Sequence, residues 1–371
     1  MKSPTRIISL LPKRDWIVVG WVLAIKSLLF FAGARSYPMI WNTRMDGARK
    51  WLQIWDQWDF GYYQKIAEFG YSRNDGSLAF YPLFPWLMGF VTDLTKSYLA
   101  AGLIISGIAS IAAAILLRRL VQLDYPASVA IRSVWFFLIF PTAYFLHVAY
   151  SESLFLALAL ACIFAARRER WWWAGVLGAF CWMTRGVGAV LIPTLAVEAT
   201  QQYWTRRSWN RQWLWIAVVP IGFAVYLFIN WRVAGNPFAF LQTRRISFEQ
   251  SFAFPSAGIR QALRALYPTP REAEMVGVQE LSFAALGFIC TIISWIRLRP
   301  AYATWMTACF VLFVSVNFFQ SIPRYTLTMF PIFILLGLLG RNRFWAGVIT
   351  VWSLLLFALF AVLFARGEWA F

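Results

Sequence analysis

The chain has 371 residues, of which 60% are hydrophobic, and its mean hydropathy is +0.60. Soluble domains contain about 45–50% apolar residues, so this composition excludes an ordinary soluble protein. The formal net charge is +18, but the Arg and Lys residues form short clusters between apolar runs, as in cytoplasmic loops of membrane proteins. This pattern argues against nucleic acid as a partner.

Apolar runs recur along the whole chain, and a run of roughly 17–25 residues is long enough to cross a bilayer as an α-helix. We therefore predict an all-α polytopic membrane protein with the lipid bilayer as its surroundings. The eleven predicted spans are about 15–34, 98–117, 129–146, 151–166, 171–184, 187–203, 212–231, 278–297, 302–320, 325–339 and 344–364. The first span follows basic residues and lacks a small-residue cleavage site, which predicts a retained signal anchor.

The segment 80–94 decides the topology. It is short and carries Pro82 and Pro85, so we expect a re-entrant or interfacial helix. If it crossed the membrane, the arginine clusters at 118–119 and 167–170 would lie outside, against the positive-inside rule. Eleven spans place the N-terminus inside and the C-terminus outside, and twelve spans are the alternative.

A single transmembrane domain is expected over residues 1–371. In this topology outer loop 1 at 35–79, with a juxtamembrane helix at about 57–69, and a second outer loop at 232–277 both face outside. The predicted location is the cell (cytoplasmic) membrane, with the active site on the outer face.

Outer loop 1 carries several acidic residues in a chain that has only 16. Asp56 and Asp59 are three residues apart and would share one face of a helix. Asp59 is either the N-cap of a helix that ends at Gly70 or a general base for an acceptor hydroxyl. The aromatic neighbours, which either anchor the helix in the interface or stack on a sugar ring, are Trp58, Tyr62 and Tyr63.

Other polar residues stand at predicted outer ends of spans. Tyr150, Ser151 and Glu152 open one span just after His147, a lone histidine of a type that is more often structural. An acid at a span end is either solvated or functional, because ionisable groups at membrane depth mark functional sites by default.

Arg185 and Arg324 depart from the positive-inside pattern, because both are predicted to lie outside. They either snorkel to the interface or bind an anionic group such as a lipid phosphate. Arg244 and Arg245 in the second outer loop are further candidates. The chain has no nucleotide-binding motif, so we expect the substrate to arrive already activated.

A series of motifs runs in order along nearly the whole chain. They are Trp58-Asp59-x-Gly61-Tyr62-Tyr63-x-x-Ile66-Ala67-Glu68-x-Gly70-Tyr71, Ala79-Phe80-Tyr81-Pro82-Leu83-Phe84-Pro85, Tyr150-Ser151-Glu152-Ser153-Leu154-Phe155, Thr184-Arg185-x-x-Gly188, Gly235-Asn236-Pro237-Phe238-Ala239-Phe240, Arg324-Tyr325-x-Leu327-x-x-Phe330-Pro331 and Gly367-x-Trp369. Together they resemble the signature of the PIG-V-type mannosyltransferases, which include the eukaryotic enzyme that adds the second mannose of GPI anchors and its prokaryotic relatives. Ala149 and Tyr62 stand where relatives often have proline and tryptophan.

The resemblance implies the GT-C glycosyltransferase fold, a polyprenyl-phosphate (dolichyl-type) mannose donor and inversion at the anomeric carbon on the non-cytoplasmic face. It implies that Asp59 is the general base, and we keep Asp56 as a possible second catalytic acid whose role is not assigned. We expect the donor phosphate to be bound by Arg185, Arg324 and Arg245. The residues expected to contact substrates are Trp58, Tyr62, Tyr63, His147, Tyr150, Glu152 and Tyr325.

The acceptor is expected to be lipid-linked or an envelope glycan. No metal ion and no other cofactor is expected to be obligatory, since an arginine can hold a monophosphate leaving group. The alternatives are a flippase or transporter of lipid-linked sugars, a GT-C enzyme for another sugar, and a partner subunit without catalysis. Transport usually requires ionisable residues near the midplane and repeat symmetry, and the sequence shows neither.

Overall fold

A computed structural model describes residues 12–41, 50–266 and 273–369. In these ranges the chain forms α-helices and 3₁₀ turns, with an isolated antiparallel bridge between Phe252 and Val316 as the extended pairing. The prediction of an all-α protein is therefore confirmed. The basic N-terminal residues 1–11 and the loop portions 42–49 and 267–272 lie outside the described residues.

The described helices vary from a single turn to full membrane length. They are α1 (Lys13–Trp41), α2 (Lys50–Gln53), α3 (Asp59–Phe69), α4 (Leu83–Thr95), α5 (Tyr98–Val121), α6 (Ala127–Ile139), α7 (Glu152–Arg167), α8 (Trp171–Thr184), α9 (Leu191–Arg206), α10 (Ile221–Ala234), α11 (Ala239–Ser247), α12 (Pro255–Arg264), α13 (Ala273–Arg297), α14 (Pro300–Val314), α15 (Ile322–Thr328), α16 (Pro331–Leu339) and α17 (Arg343–Ala365). The 3₁₀ turns are Ser77–Ala79, Ala143–Leu146, Gly186–Val190 and Arg211–Val218.

Five helical segments of the described chain are long and apolar enough to cross a bilayer. They are Arg14–Arg35, Tyr98–Val121, Arg211–Ala234, Gly277–Arg297 and Arg343–Ala365. The pair α15 and α16, bent by 83°, adds a sixth if it forms one broken span. These segments indicate a multi-pass membrane protein, while the count of eleven spans and the orientation of the termini stay predictions.

Several predicted spans are interrupted in the structure, mostly at proline. The span predicted at 129–146 ends as a helix at Ile139, and Pro141 separates it from the 3₁₀ turn at Ala143–Leu146. Proline lacks the N–H that an α-helix needs and clashes with the preceding turn. Pro220 likewise separates the 3₁₀ turn Arg211–Val218 from α10, and Pro331 opens α16.

The central helix is α7, which packs against α5 on one side and α8 on the other. Small residues permit a close approach: a Cβ atom on Gly102 of α5 would lie 2.7 Å from the Ala149 side chain. Glu152 begins α7 and Arg167 ends it. At a rise of 1.5 Å per residue these two charges are ~22 Å apart along the helix. The helix therefore connects two separate charged regions of the protein.

Candidate active site

Four charged side chains meet where α7 begins, and we call them the carboxylate–guanidinium cluster: Asp59, Glu152, Arg185 and Arg324. Arg324 joins the two acids, since its Nε donates to Glu152 Oε1 and its Nη1 lies 2.8 Å from Asp59 Oδ2. Arg185 Nη1 donates to the same Glu152 oxygen at 2.6 Å. The cluster thus links outer loop 1 to three interruptions between helices that are distant in sequence.

Burial differs sharply between the two carboxylates. The Glu152 side chain is 0% exposed, whereas the Asp59 side chain is 25% exposed. A charge that is removed from water must be paired, and Glu152 is paired with two guanidiniums. Its burial does not fit the prediction that Glu152 contacts substrate. Glu152 instead orients the two arginines, and Asp59 is the accessible acid of the cluster.

Tyr150 connects the cluster to the chain segment that carries Asp59. Its hydroxyl donates to the carbonyl of Gln57 at 2.8 Å and accepts the N–H of Asp59 at 3.1 Å. The Arg324 guanidinium lies over the Tyr150 ring, 4.8 Å from its centre, and over Phe145 at 4.6 Å. These cation–π contacts hold the arginine plane in a single orientation. Tyr150 therefore positions both members of the Asp59–Arg324 pair.

A second polar link runs from Tyr63 to Arg185. The Tyr63 hydroxyl and Ser151 Oγ are 2.9 Å apart, and Arg185 Nη1 donates to the same Ser151 oxygen at 2.9 Å. Burial raises the pKa of Tyr63, with a further rise caused by Asp59 and Glu152. The Tyr63 hydroxyl therefore keeps its proton at neutral pH and remains a hydrogen-bond donor.

The juxtamembrane helix begins at Asp59, two residues later than predicted, and is followed by Gly70 at φ +79°. The N-cap position is Trp58, which has no capping side-chain bond, and the Asp59 carboxylate faces Arg324. The interpretation of Asp59 as a helix cap is therefore wrong. Asp56 precedes the helix, so it does not share a helical face with Asp59 as predicted. The Asp56 side chain is exposed.

Aromatic rings surround the accessible side of Asp59. Trp58 has a left-handed φ of +50°, is 47% exposed and meets Trp369 edge-on at 5.2 Å. A non-glycine residue in this conformation stores strain, which is common at functional sites. Tyr62 stacks on Phe80 with the ring centres 4.7 Å apart. Rings adjacent to Asp59 in the sequence therefore pack against Phe80 and against the C-terminal Trp369.

Three predicted site residues lie apart from the cluster. His147 is fully buried, and in the described part of the chain neither ring nitrogen has a hydrogen-bond partner. Tyr325 stacks on Phe313 at 5.0 Å. Arg245 is exposed on α11. The structure therefore does not bring these residues into contact with Asp59.

The neighbouring arginine, Arg244, lies near Tyr81 and donates to the side chain of Gln250. Burial raises the pKa of Tyr81 to about 12, and the nearby Arg244 guanidinium opposes that rise. A Cβ atom on Gly186 would lie 3.1 Å from the Tyr81 hydroxyl oxygen, so Tyr81 fills the space between α11 and the chain after Arg185. Adjacent side chains on a helix point about 100° apart, so Arg244 and Arg245 cannot both face Tyr81. Which of the two does so depends on how α11 packs.

Glu280 is a site residue that sequence reasoning missed. It is 1% exposed, and its carboxylate accepts the backbone N–H groups of Ser321 and Ile322, each at 2.7 Å. Ser321 adopts a left-handed φ of +66° just before the helix that carries Arg324. Glu280 therefore holds the backbone that positions Arg324. The available signal was an acid inside an otherwise apolar predicted span.

The family model described as mannosyltransferase (PIG-V) matches residues 40–243, which is more than half of the chain. The matched region contains Asp59, Glu152 and Arg185 of the cluster. The chain belongs to the PIG-V mannosyltransferase family. Family membership, together with the apolar helices, identifies a membrane glycosyltransferase.

No curated protein matches the sequence. Solved structures that match include an oligosaccharyltransferase of the archaeon Archaeoglobus fulgidus with zinc and sulfate. The sequence identity is 12% and the TM-score is 0.47, and the match covers 95% of this chain and 52% of that one. Another is AglB of the same organism with an inhibitory peptide and a dolichol-phosphate, at 12% identity and a TM-score of 0.47, covering 96% and 56%. The chain spans about half the length of these proteins.

Proposed function

We propose that this protein transfers mannose from a polyprenyl-phosphate mannose donor to a hydroxyl group of a lipid-linked or envelope acceptor. The observation that carries the proposal is the placement of Asp59. Its carboxylate is partly exposed, while the arginine that holds it belongs to a buried cluster. Family membership supports mannose as the sugar.

Asp59 acts as the general base. Its carboxylate takes the proton of the acceptor hydroxyl while the hydroxyl oxygen attacks the anomeric carbon of the donor. The bond between that carbon and the phosphate oxygen breaks, and its electron pair leaves with the polyprenyl phosphate. A single carboxylate is sufficient for this one-step displacement, which inverts the anomeric configuration.

Arg185 and Arg324 stabilise the charge that develops on the leaving phosphate. Both guanidiniums are held on Glu152, so they are oriented before the donor binds. Preorganised donors of this kind lower the barrier because they need no rearrangement during the reaction. Arg244, which lies near Tyr81, is a third cation for the donor headgroup. These positive charges supply what a divalent ion supplies in other transferases.

The contacts around the cluster support an active site on the non-cytoplasmic face. Outer loop 1, the turn at 147–151, the break at Arg185 and the segment at 321–324 were all predicted to lie outside, and they meet in the cluster. The arginine clusters predicted to lie inside are at the opposite ends of α5 and α7. The separation of these groups supports the proposed orientation of the active site.

The test uses purified full-length protein, a synthetic polyprenyl-phosphate [¹⁴C]mannose and total membrane lipid as the acceptor source. Asp59→Asn is expected to lower the transfer rate roughly 10²–10⁴-fold, the usual contribution of a general base. Asp56→Asn is the matched control, and it is expected to retain the wild-type rate. Unchanged transfer by Asp59→Asn would rule out Asp59 as the base. A wild-type protein that moves the intact donor between leaflets without transfer would instead support a flippase.

A further inference from the structure

An apolar crevice of about 240 Å³ lies between α1, α6 and α17. We call it the α1–α17 crevice. Its walls are apolar except for one cationic residue, Arg366. The lining residues are Ile25, Leu28, Leu29, Ala32, Gly33, Trp55, Leu138, Ile139, Leu354, Phe357, Ala358, Ala361, Val362, Ala365 and Arg366.

The crevice is elongated and opens towards the surrounding lipid. On α17 its lining extends from Leu354 to Arg366, which is ~18 Å at 1.5 Å per residue. A bilayer core is about 30 Å thick, so the crevice is close to one leaflet deep. Leu28 in its wall is 66% exposed, and Ala358 is also exposed. An apolar cavity of this size excludes water and accepts apolar ligands.

The charge at one end of the crevice distinguishes it from a plain apolar surface. The Arg366 side chain is 37% exposed and forms an ion pair with Glu368 at 3.0 Å. It follows the last turn of α17, where the apolar helix ends. Because both members of this pair are exposed, at 37% and 44%, the anionic headgroup of a lipid whose hydrocarbon chain lies in the channel can compete with Glu368 for the guanidinium.

The Arg366 end of the crevice adjoins the segment that carries Asp59. Trp55 lines the crevice and stacks on Phe364 at 6.3 Å, and Phe364 in turn contacts Tyr150 at 5.6 Å. Tyr150 binds both the carbonyl of Gln57 and the N–H of Asp59. The chain at the charged end of the crevice also contacts the segment that carries Asp59 directly, since Trp369 meets Trp58 edge-on at 5.2 Å.

A different apolar groove adjoins the arginine side of the cluster. This groove, of about 620 Å³, is lined by Ala189 and Val190 of the turn that follows Arg185, and by residues of α14. It lies next to the guanidinium proposed to hold the donor phosphate. This groove can hold the polyprenyl chain of the donor. The α1–α17 crevice is then available to the acceptor, the molecule that reacts at Asp59.

We propose that the α1–α17 crevice binds one hydrocarbon chain of the acceptor, and that the acceptor is an anionic membrane lipid whose headgroup lies at Arg366. The assignment to the acceptor rests on the proposed function, because it takes Asp59 as the base. The binding of a lipid chain in the crevice does not depend on that function.

The experiment uses the full-length protein in phosphatidylcholine nanodiscs and three photoactivatable probes. Two are a phosphatidylglycerol and a phosphatidylcholine with a diazirine in one acyl chain, and the third is a polyprenyl phosphate with a terminal diazirine. After irradiation, mass spectrometry maps the adducts. The phosphatidylglycerol probe is expected to label the crevice residues on α1 and α17 about tenfold more than the phosphatidylcholine probe, a difference of ~1.4 kcal/mol.

Two matched variants on α17 separate specific binding from contact with bulk lipid. Ala358→Phe places a ring in the crevice and is expected to reduce the phosphatidylglycerol adducts there about tenfold. Leu359→Phe is the control, because Leu359 is 42% exposed and does not line the crevice. Equal labelling by both glycerolipids, or labelling that persists in Ala358→Phe, would overturn the proposal. Labelling of the crevice by the polyprenyl phosphate would assign it to the donor instead.

Labelling and mannose transfer are measured on the same samples. A failure of the lipid-binding proposal can therefore be distinguished from a failure of the proposed function. Asp59→Asn is expected to keep the labelling and lose the transfer. Ala358→Phe is expected to raise the KM for a lipid acceptor, whereas Leu359→Phe is expected to keep the wild-type KM and kcat. If wild-type protein shows crevice labelling but no transfer, the proposed function is wrong and the lipid site remains.

Discussion

The two ends of α7 both carry buried ion pairs, but they differ in how their carboxylates are held. At the basic end, defined by Asp15, Asp124, Glu198 and their arginines, Asp15 is 0% exposed and both of its oxygens accept from arginines. Glu198 there is bound through both oxygens by Arg299. At the cluster end, Arg324 holds one oxygen of Asp59, and a quarter of that side chain is exposed.

This difference shows that a buried ion pair does not by itself mark a catalytic site. The basic end has three paired carboxylates against two in the cluster, and its pairs join helices. At both ends one arginine contacts a buried acid and a partly exposed acid, since Arg167 contacts Glu198 and Asp124. The difference is that Arg167 donates to both Asp124 oxygens, whereas Arg324 contacts one oxygen of Asp59. Contact at a single oxygen leaves the Asp59 carboxylate better able to accept a proton from a substrate.

The strongest test of this comparison removes one buried carboxylate from each end. Glu152→Gln leaves Arg185 and Arg324 without their shared anion, and we expect the transfer rate to fall about 10²–10³-fold. Asp15→Asn is expected to lower the free energy of unfolding by about 3–5 kcal/mol, as for a broken buried pair, with an unchanged kcat per folded molecule. Thermal unfolding and active-site titration separate the two effects. If Glu152→Gln keeps the wild-type kcat, the carboxylate–guanidinium cluster stabilises the fold, as the basic end does, and has no role in catalysis.

The second test changes the shape of the cation and keeps its charge. Arg324 uses Nε for Glu152 and Nη1 for Asp59, and lysine cannot reproduce this fork. We expect Arg324→Lys to lower kcat about 10²-fold, the loss typical of a small displacement in an active site. Arg118→Lys at the basic end is the counterpart and is expected to retain kcat. Equal losses in both variants would contradict a special role for the cluster.

A third test concerns Glu280, which acts through the backbone before Arg324. Glu280→Gln keeps one acceptor oxygen and replaces the other with an amide NH₂ group that cannot accept the second backbone N–H. We therefore expect kcat to fall about tenfold while the KM for the donor changes little. Glu198→Gln is the matched buried acid at the basic end, for which no change in kcat is expected. If Glu280→Gln affects only the unfolding temperature, Glu280 stabilises the fold without positioning Arg324.

The smallest expected effect is that of chelation. With Arg185 and Arg324 holding the phosphate charge, addition of EDTA is expected to change the initial transfer rate by less than about twofold. The measurement compares EDTA-treated protein with the same sample after Mg²⁺ or Mn²⁺ is restored. A loss of transfer that either ion reverses would show that the arginines do not replace a metal.

Most residues of the cluster could be predicted from the sequence, but the role of each residue could not. Asp59, Arg185 and Arg324 were predicted because an acid and two arginines stand where a positive-inside topology places the outer face. Glu152 was predicted as a substrate contact, yet it is fully buried beneath the arginines. Glu152 and Arg324 are 172 residues apart in the sequence. A local sequence pattern cannot show which acid, Glu152 or Asp59, such a distant arginine buries.

The sequence by itself determined the class of protein, since continuous apolar runs of this length need a bilayer. Its ordered motifs also led to the family. Only the tertiary structure decided that Asp59 is accessible, that Arg244 and not Arg245 faces Tyr81, and that Glu280 holds the segment before Arg324. The reason is physical: exposure and hydrogen bonding depend on side chains supplied by remote segments, and the local sequence pattern carries no information about them.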